Sequence, residues 1–519
     1  MLGRSLVAAG VIAAAVVSLA ACGTGASATS TDTVSMSLNT DPATFDPALA
    51  KGGDDFTVAR LLFDTVVRRD ENNTLAGGIA STWSTEDAAH YTLTIRSGLS
   101  CSDGTAITPT VVANSLTRFA AKDTGSSGRT LALGSATATF TPDDTAGTVA
   151  IALSAPWSDF LTGLTLPQAG IVCPAGLVDP KGLAAGTVKG AFSGPYTLTK
   201  SQPAVQYDLA LRADYKAWPA FRKPLTGEPA KKLNLLPITD YATIANQLLA
   251  GSLNVGIIAD QNVARFDNTP GYAVAKAVNT TTYLMFNERP GTAFTDRPDL
   301  RKAVAEAVDP AAFRDIISDG RGETLLSVGS ANTACVNTDR SLLATQDTKA
   351  AAAALKGVKI RIVGTNLLGS GNEYIAEALR KAGADVTVQS LDNANWSTVT
   401  TAGGTDWDIN VQGDNNQMGT LTSSLLRVMG PTVENGGRNK MGVVNEDGFR
   451  FVDEAMTQTD AKAKCAALQS AQKSFLDRTD AVPLSTLPTP VVVADGFTVR
   501  VFDDYFDAAT VRVGANTAS

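Results

Sequence analysis

The chain has 519 residues, 43 Lys plus Arg against 51 Asp plus Glu, and a formal net charge of −8. With 44% apolar and 18% charged residues the composition is globular, and the length allows several domain-sized units. An acidic chain without a basic block excludes a nucleic-acid surface built on clustered Lys and Arg, and a single histidine, His90, excludes His-paired zinc sites.

Chain order begins with Arg4 and an uncharged Ala/Val-rich run from Leu6 to Ala21. That run is shorter than the ~20 apolar residues a bilayer span needs and suits a signal-peptide core. Its end, Leu19-Ala20-Ala21-Cys22-Gly23, resembles a bacterial lipoprotein signal. The resemblance implies removal of residues 1–21 and a diacylglycerol on the Cys22 thiol. The small polar stretch that follows predicts a flexible tether over 22–33. No later segment is apolar for long enough to span a membrane. With Cys22 lipidated, Cys101, Cys173, Cys335 and Cys465 remain, and four cysteines in an exported chain allow three disulfide pairings. Metal ligation by these cysteines is disfavoured because no Cys-x-x-Cys pair occurs.

Val34-Ser35-Met36-Ser37-Leu38 alternates as a half-buried strand does, and Tyr91-Thr92-Leu93-Thr94-Ile95 repeats the pattern. Thr108 as N-cap and Pro109 at the first helical position predict a helix with Val112, Leu116 and Phe119 on one face. A helix over about 298–308 carries Leu300, Val304, Ala307 and Val308 inward. Asp309-Pro310 breaks it and starts another that stops before Gly320. Residues 359–389 read as strand, helix from Glu373 to Ala382 with Gly383 as its C-cap, and strand. Between the first strand and that helix, Gly369-Ser370-Gly371 reads as an ordinary connection, lacking the Lys-Ser/Thr of a nucleotide loop. Strands alternating with helices indicate an α/β fold.

Several segments, in order, resemble the bacterial extracellular solute-binding proteins of family 5, the peptide- and nickel-type receptors of ABC importers. They are Asp41-Pro42-Ala43-Thr44-Phe45-Asp46-Pro47, Leu75 to Trp83 with Tyr91 to Gly98 and Ser102-Asp103-Gly104-Thr105, Ser193-Gly194-Pro195-Tyr196, Tyr283 to Asn287 with Asp296 to Ala303 and Ala307-Val308-Asp309, and Ala481-Val482-Pro483-Leu484. The resemblance implies a two-lobe periplasmic-binding-protein-like fold with a hinge and an extra subdomain inserted in the first lobe. Lobe one would comprise 34–66, 190–280 and 485–519, the insert 67–189, and lobe two 281–484. Keeping each bridge within one lobe favours Cys101–Cys173 and Cys335–Cys465. The implied function is a lipid-anchored receptor on the outer face of the cytoplasmic membrane, a monomer that passes peptides or peptide-like solutes to an ABC permease. A metal chelate, haem, a siderophore or an oligosaccharide is the alternative cargo.

In dipeptide-type members a Gly-Asp-Asn at the place of Gly413-Asp414-Asn415 supplies the carboxylate that holds the peptide α-ammonium. Asp414 is therefore the expected anchor, with an Asx-type loop cap as the plain alternative. The family's carboxylate-gripping Arg has no counterpart in Gly364 to Gly371, which disfavours a dipeptide held at both ends. The loop Gly52-Gly53-Asp54-Asp55 is expected to touch ligand from lobe one. Trp407 is a candidate stacking residue, as are Trp396, Trp157 and Trp218. No cofactor, metal site or catalytic residue is expected. The one enzymatic hook, Ser470-Ala471-Gln472-Lys473, matches the Ser-x-x-Lys of penicillin-recognising hydrolases without its partner motifs.

Overall fold

The computed structural model describes residues 32–502 and 504–515. The expected signal peptide, Cys22 and nearly all of the tether lie outside them. Ten strands form one mixed sheet. In spatial order they are Asp385–Leu391, Lys359–Thr365, Ile409–Asn415, Tyr272–Phe286, Ala481–Ala494, Val255–Ile257, Thr33–Leu38, Lys232–Pro237, Gln206–Leu211 and Tyr196–Gln202. The two long strands, Tyr272–Phe286 and Ala481–Ala494, run antiparallel and belong to both lobes. Val491–Val493 joins Val255–Ile257 on the lobe-one side, and Thr280–Phe286 joins Ile409–Asn415 on the lobe-two side. Their ladder slips register between Ala277 and Thr280 and again between Thr281 and Tyr283. Such bulges bend a strand pair and add twist, and here they mark the passage from one lobe to the other.

Local signals explain most elements. Thr108 accepts a hydrogen bond from the Val111 amide, Pro109 opens the helix Pro109–Ala120, and Val112, Leu116 and Phe119 are buried. That helix packs on a four-stranded antiparallel sheet (Ala80–Thr85, His90–Ile95, Thr148–Leu153, Ala138–Asp143) that forms the centre of the inserted subdomain. Asp309 caps the helix Pro310–Ser318 through the amides of Ala311 and Ala312. A Cys101–Cys173 bridge ties the insert internally and a Cys335–Cys465 bridge does so in lobe two, with Cα separations of 6.1 and 4.9 Å.

One connection differs from the sequence reading. Gly369-Ser370-Gly371 is the first turn of the helix Gly369–Lys381, not a loop before it. A Cβ on Gly371 would stand 2.7 Å from side-chain carbons of Phe313 and Ile317, so the glycine is there to let two helices approach. Among the described residues no helix is long and apolar enough to cross a membrane.

The lobes and the insert touch. Asn73 Nδ2 donates to the Gly419 carbonyl (3.2 Å), the Ser158 amide donates to the Met456 carbonyl (2.9 Å), and Lys464 pairs with Asp159 (2.6 Å). One apolar cluster continues from the insert, with Leu93, Leu116 and Phe160, into lobe two, with Leu425, Met429 and Phe475.

Candidate functional site

The strand Ile409–Asn415 positions the site by its period of two. Ile409 and Val411 face the helices of the lobe-two core, together with Leu284 and Phe286. Asn410, Gln412 and Asp414 point the other way, and all three are buried. Polar side chains on a buried strand face must find partners. Trp396 Nε1 donates to Asn410 Oδ1 (2.8 Å), Asn410 Nδ2 to Gln412 Oε1 (3.0 Å), and Lys440 Nζ to the same Gln412 oxygen (3.3 Å). The Lys440 ammonium also lies 3.7 Å from the centroid of the Trp396 ring.

Asp414 is 0% exposed and pairs in register with Thr281, next to the bulges at the lobe boundary. Tyr283 donates to its Oδ2 (2.9 Å), and Arg427 Nε stands 2.7 Å from its Oδ1. Burial, then the neighbouring carboxylate, pushes the Tyr283 hydroxyl well above its ordinary value, so it stays a donor. Beyond Asp414 the chain turns to the other lobe. Asn415 is exposed, Gln417 approaches Gln168 at 3.4 Å, and Gly419 receives Asn73.

Two further cations share this space. Arg438 donates to the Ser423 carbonyl and hydroxyl (3.0 and 3.1 Å), and Lys440 is 4% exposed. Burial first, and Arg427 second, pushes both below their ordinary values, Arg438 to about 9. Sequence reasoning missed Arg427, Arg438 and Lys440. The alternation of Asn410, Gln412 and Asp414 in an otherwise apolar strand was the available signal for a polar chamber, but nothing local linked it to those cations.

The expected lobe-one contact is differently employed. Asp54 accepts from the amides of Asn39 and Thr40 and from the Thr40 hydroxyl, and Asp55 from the amides of Ala43, Lys51 and Gly52. These carboxylates pin the preceding loop onto the helix Gly53–Leu62, while Gly52 and Gly53 border open space. Trp407 departs from the expectation outright. It is 1% exposed, seven residues before Asp414 and just ahead of the strand Ile409–Asn415, because a large apolar ring is most stable in the core. Trp157 is closed against Gly134, and Trp218 stacks on Arg512. Trp396, half-buried, is the one tryptophan of the four that borders the chamber. Ser470 donates to the Ala466 carbonyl and Lys473 pairs with Asp477, so the Ser-x-x-Lys residues serve their own helix.

The model of the bacterial extracellular solute-binding proteins, family 5 Middle, matches residues 74–432. The probable D,D-dipeptide-binding periplasmic protein DdpA of Escherichia coli is 26% identical over 314 residues, 57% of this chain and 56% of that protein. The aligned stretch thus spans about half the length of that relative. A crystal structure of a substrate binding protein from Microbacterium hydrocarbonoxydans, complexed with 4-hydroxybenzoate hydrazide, is 39% identical, with a TM-score of 0.82 over 93% of this chain and 100% of that one. The unliganded open form of the murein tripeptide binding protein MppA is 18% identical, with a TM-score of 0.72 over 93% of this chain and 97% of its own, and shares the fold.

Proposed function

This chain belongs to the bacterial extracellular solute-binding proteins of family 5, a family of binding proteins and not of enzymes, and on that premise we propose that it is the receptor of an ABC importer. It captures peptides or peptide-like solutes between its lobes and hands them to a membrane permease. The observation that carries this reading is the buried polar cluster at Asp414, which lies where the sheet passes between lobes and is flanked by contacts from the insert. A receptor of this kind signals occupancy by favouring its closed form, and only contacts spanning both lobes can do that. A small acyl compound is the second reading, favoured by the 39% identical protein complexed with 4-hydroxybenzoate hydrazide.

Calorimetry on wild type and Asp414→Asn, each with a short peptide and its N-acetylated form, tests the peptide reading. If Asp414 holds the α-ammonium, either change costs about 2–5 kcal/mol and the two do not add. Equal losses on both proteins remove Asp414 as anchor, and no binding of any peptide by wild type removes the peptide. Lipid anchoring at Cys22 is part of the same proposal. The full-length protein expressed in a bacterium partitions into detergent, and Cys22→Ser does not, since the thiol carries the two chains that stable anchoring needs.

A further inference from the structure

The chamber beside Asp414 holds more positive charge than its own residues balance. Arg427, Arg438 and Lys440 converge on one carboxylate, Asp414, which is already engaged by Arg427 and Tyr283. Among the described residues, neither Arg438 nor Lys440 has an ion-pair partner. Arg438 has a serine for company, and Lys440 a glutamine oxygen and an aromatic face. Arg289, whose guanidinium reaches the Lys440 carbonyl (2.7 Å), is paired outward with Glu434 and brings no spare negative charge inward. Lys440, the buried one of the two, costs stability without a counter-charge, and its cation–π contact recovers only part of that cost.

A second, independent observation points to the same place. The hydroxyl of Ser424 on the helix Leu421–Val428 is buried without a hydrogen-bond partner. Ser424 stands one turn before Arg427 on the same face of that helix. Thr281, the register partner of Asp414, donates to the Val328 carbonyl (2.9 Å), and Gly329 abuts Leu421. Buried donors left unmade are rare in folded proteins and cost free energy until something accepts from them.

Building on the receptor reading above, we infer that this cluster is the subsite for an anionic group of the ligand, a carboxylate, taken by Arg438 and Lys440 with the orphaned Ser424 hydroxyl nearby. A carboxylate offers two oxygens and about four lone-pair sites, which matches a planar guanidinium and an ammonium approaching together. It also brings the charge that the three cations lack.

Two measurements on the mature protein, freed of ligand by unfolding and refolding, decide this. The first is thermal unfolding of wild type, Lys440→Met and Lys440→Arg. Removing an uncompensated buried cation raises the melting temperature of the empty protein by several degrees, whereas Lys440→Arg leaves it near wild type. The second is calorimetry with Ala-Phe against Ala-Phe amide, and 4-hydroxybenzoate against 4-hydroxybenzamide. The acid of a pair that binds is expected to bind wild type about tenfold or more tighter than its amide, and the gap closes in Lys440→Met and persists in Lys440→Arg. Lys440→Met melting below wild type, or an amide that binds as tightly as its acid, overturns the inference. If no probe binds wild type, the peptide and acyl readings fail, and the melting comparison alone decides whether the chamber awaits an anion.

Discussion

Two clusters of charge in this chain, one wholly buried and one with two of its arginines only half-buried, balance differently. Near the start of the insert, Arg60, Arg68 and Arg69 meet Asp64, Asp504 and Asp507. Arg68 lies between Asp64 (2.7 Å) and Asp507, and Arg69 holds Asp504 (2.6 Å). Tyr215 donates to Asp64, and Arg60 reaches the Thr165 carbonyl (2.6 Å). In lobe two, Arg427, Arg438 and Lys440 meet Asp414 alone. The first cluster is closed upon itself and joins three chain segments far apart in sequence. In the second, among the described residues, Arg438 and Lys440 have no ion-pair partner. Balance of this kind separates a polar network that fastens a fold from one that waits for a ligand, since each buried charge must be answered by something.

The largest effect is expected where the balance is complete. Arg68→Met leaves Asp64 and Asp507 facing each other in the interior without their shared cation, and should lower stability by about 3–5 kcal/mol in urea unfolding. A loss under about 1 kcal/mol would mean that the cluster is not the fastening it looks like, and the contrast would collapse. Asp414→Asn breaks the other side. It removes the carboxylate that Arg427 pairs with, so the empty protein should lose about 2–4 kcal/mol, and a bound anion should restore part of it. Rescue by ligand is the distinguishing sign, because no small molecule can restore the Arg68 cluster.

The fold was legible to the extent that its signals are local. Thr108-Pro109, Asp309-Pro310 and the alternation of Val34, Met36 and Leu38 each announce an element from a few neighbouring residues. Gly371 shows where that fails. Its place inside a helix follows from Phe313 and Ile317, more than fifty residues earlier, and so a helix start read as a loop. The site failed in the same way. Asp414 stood out by motif, but Arg438 and Lys440 lie beyond a helix and a turn, and nothing in their own sequence marks them as its neighbours. Asp54 and Asp55 erred in the other direction. Two acids in a Gly loop look available for a ligand until the amides of residues 39–43 are found to consume them.

A third cluster sharpens the comparison through pH, with the smallest expected effect. Glu288 pairs with Arg301 (2.5 Å), and Asp480 with Arg478 (3.0 Å), so charges match by count. Yet burial, only partly offset by Arg301 and reinforced by Asp480, raises the Glu288 carboxyl from 4.5 to about 7. Count alone therefore does not guarantee that a buried pair is content. The sign follows from linkage. Between pH 4.5 and 7 the folded chain keeps a proton on Glu288 that the unfolded chain has released, so the folded state binds more protons and stability falls as pH rises through that window. The loss amounts to about 3 kcal/mol at most, because each pH unit crossed in that window costs roughly 1.4 kcal/mol. Glu288→Gln, which cannot release a proton, should reduce this slope, the part that remains coming from other carboxyls that burial raises, Asp480 among them. Urea unfolding of both proteins at half-unit steps from pH 4 to 8 measures it. Parallel curves would show that the Arg301 partnership holds Glu288 ionised throughout, and that matching charges suffices after all.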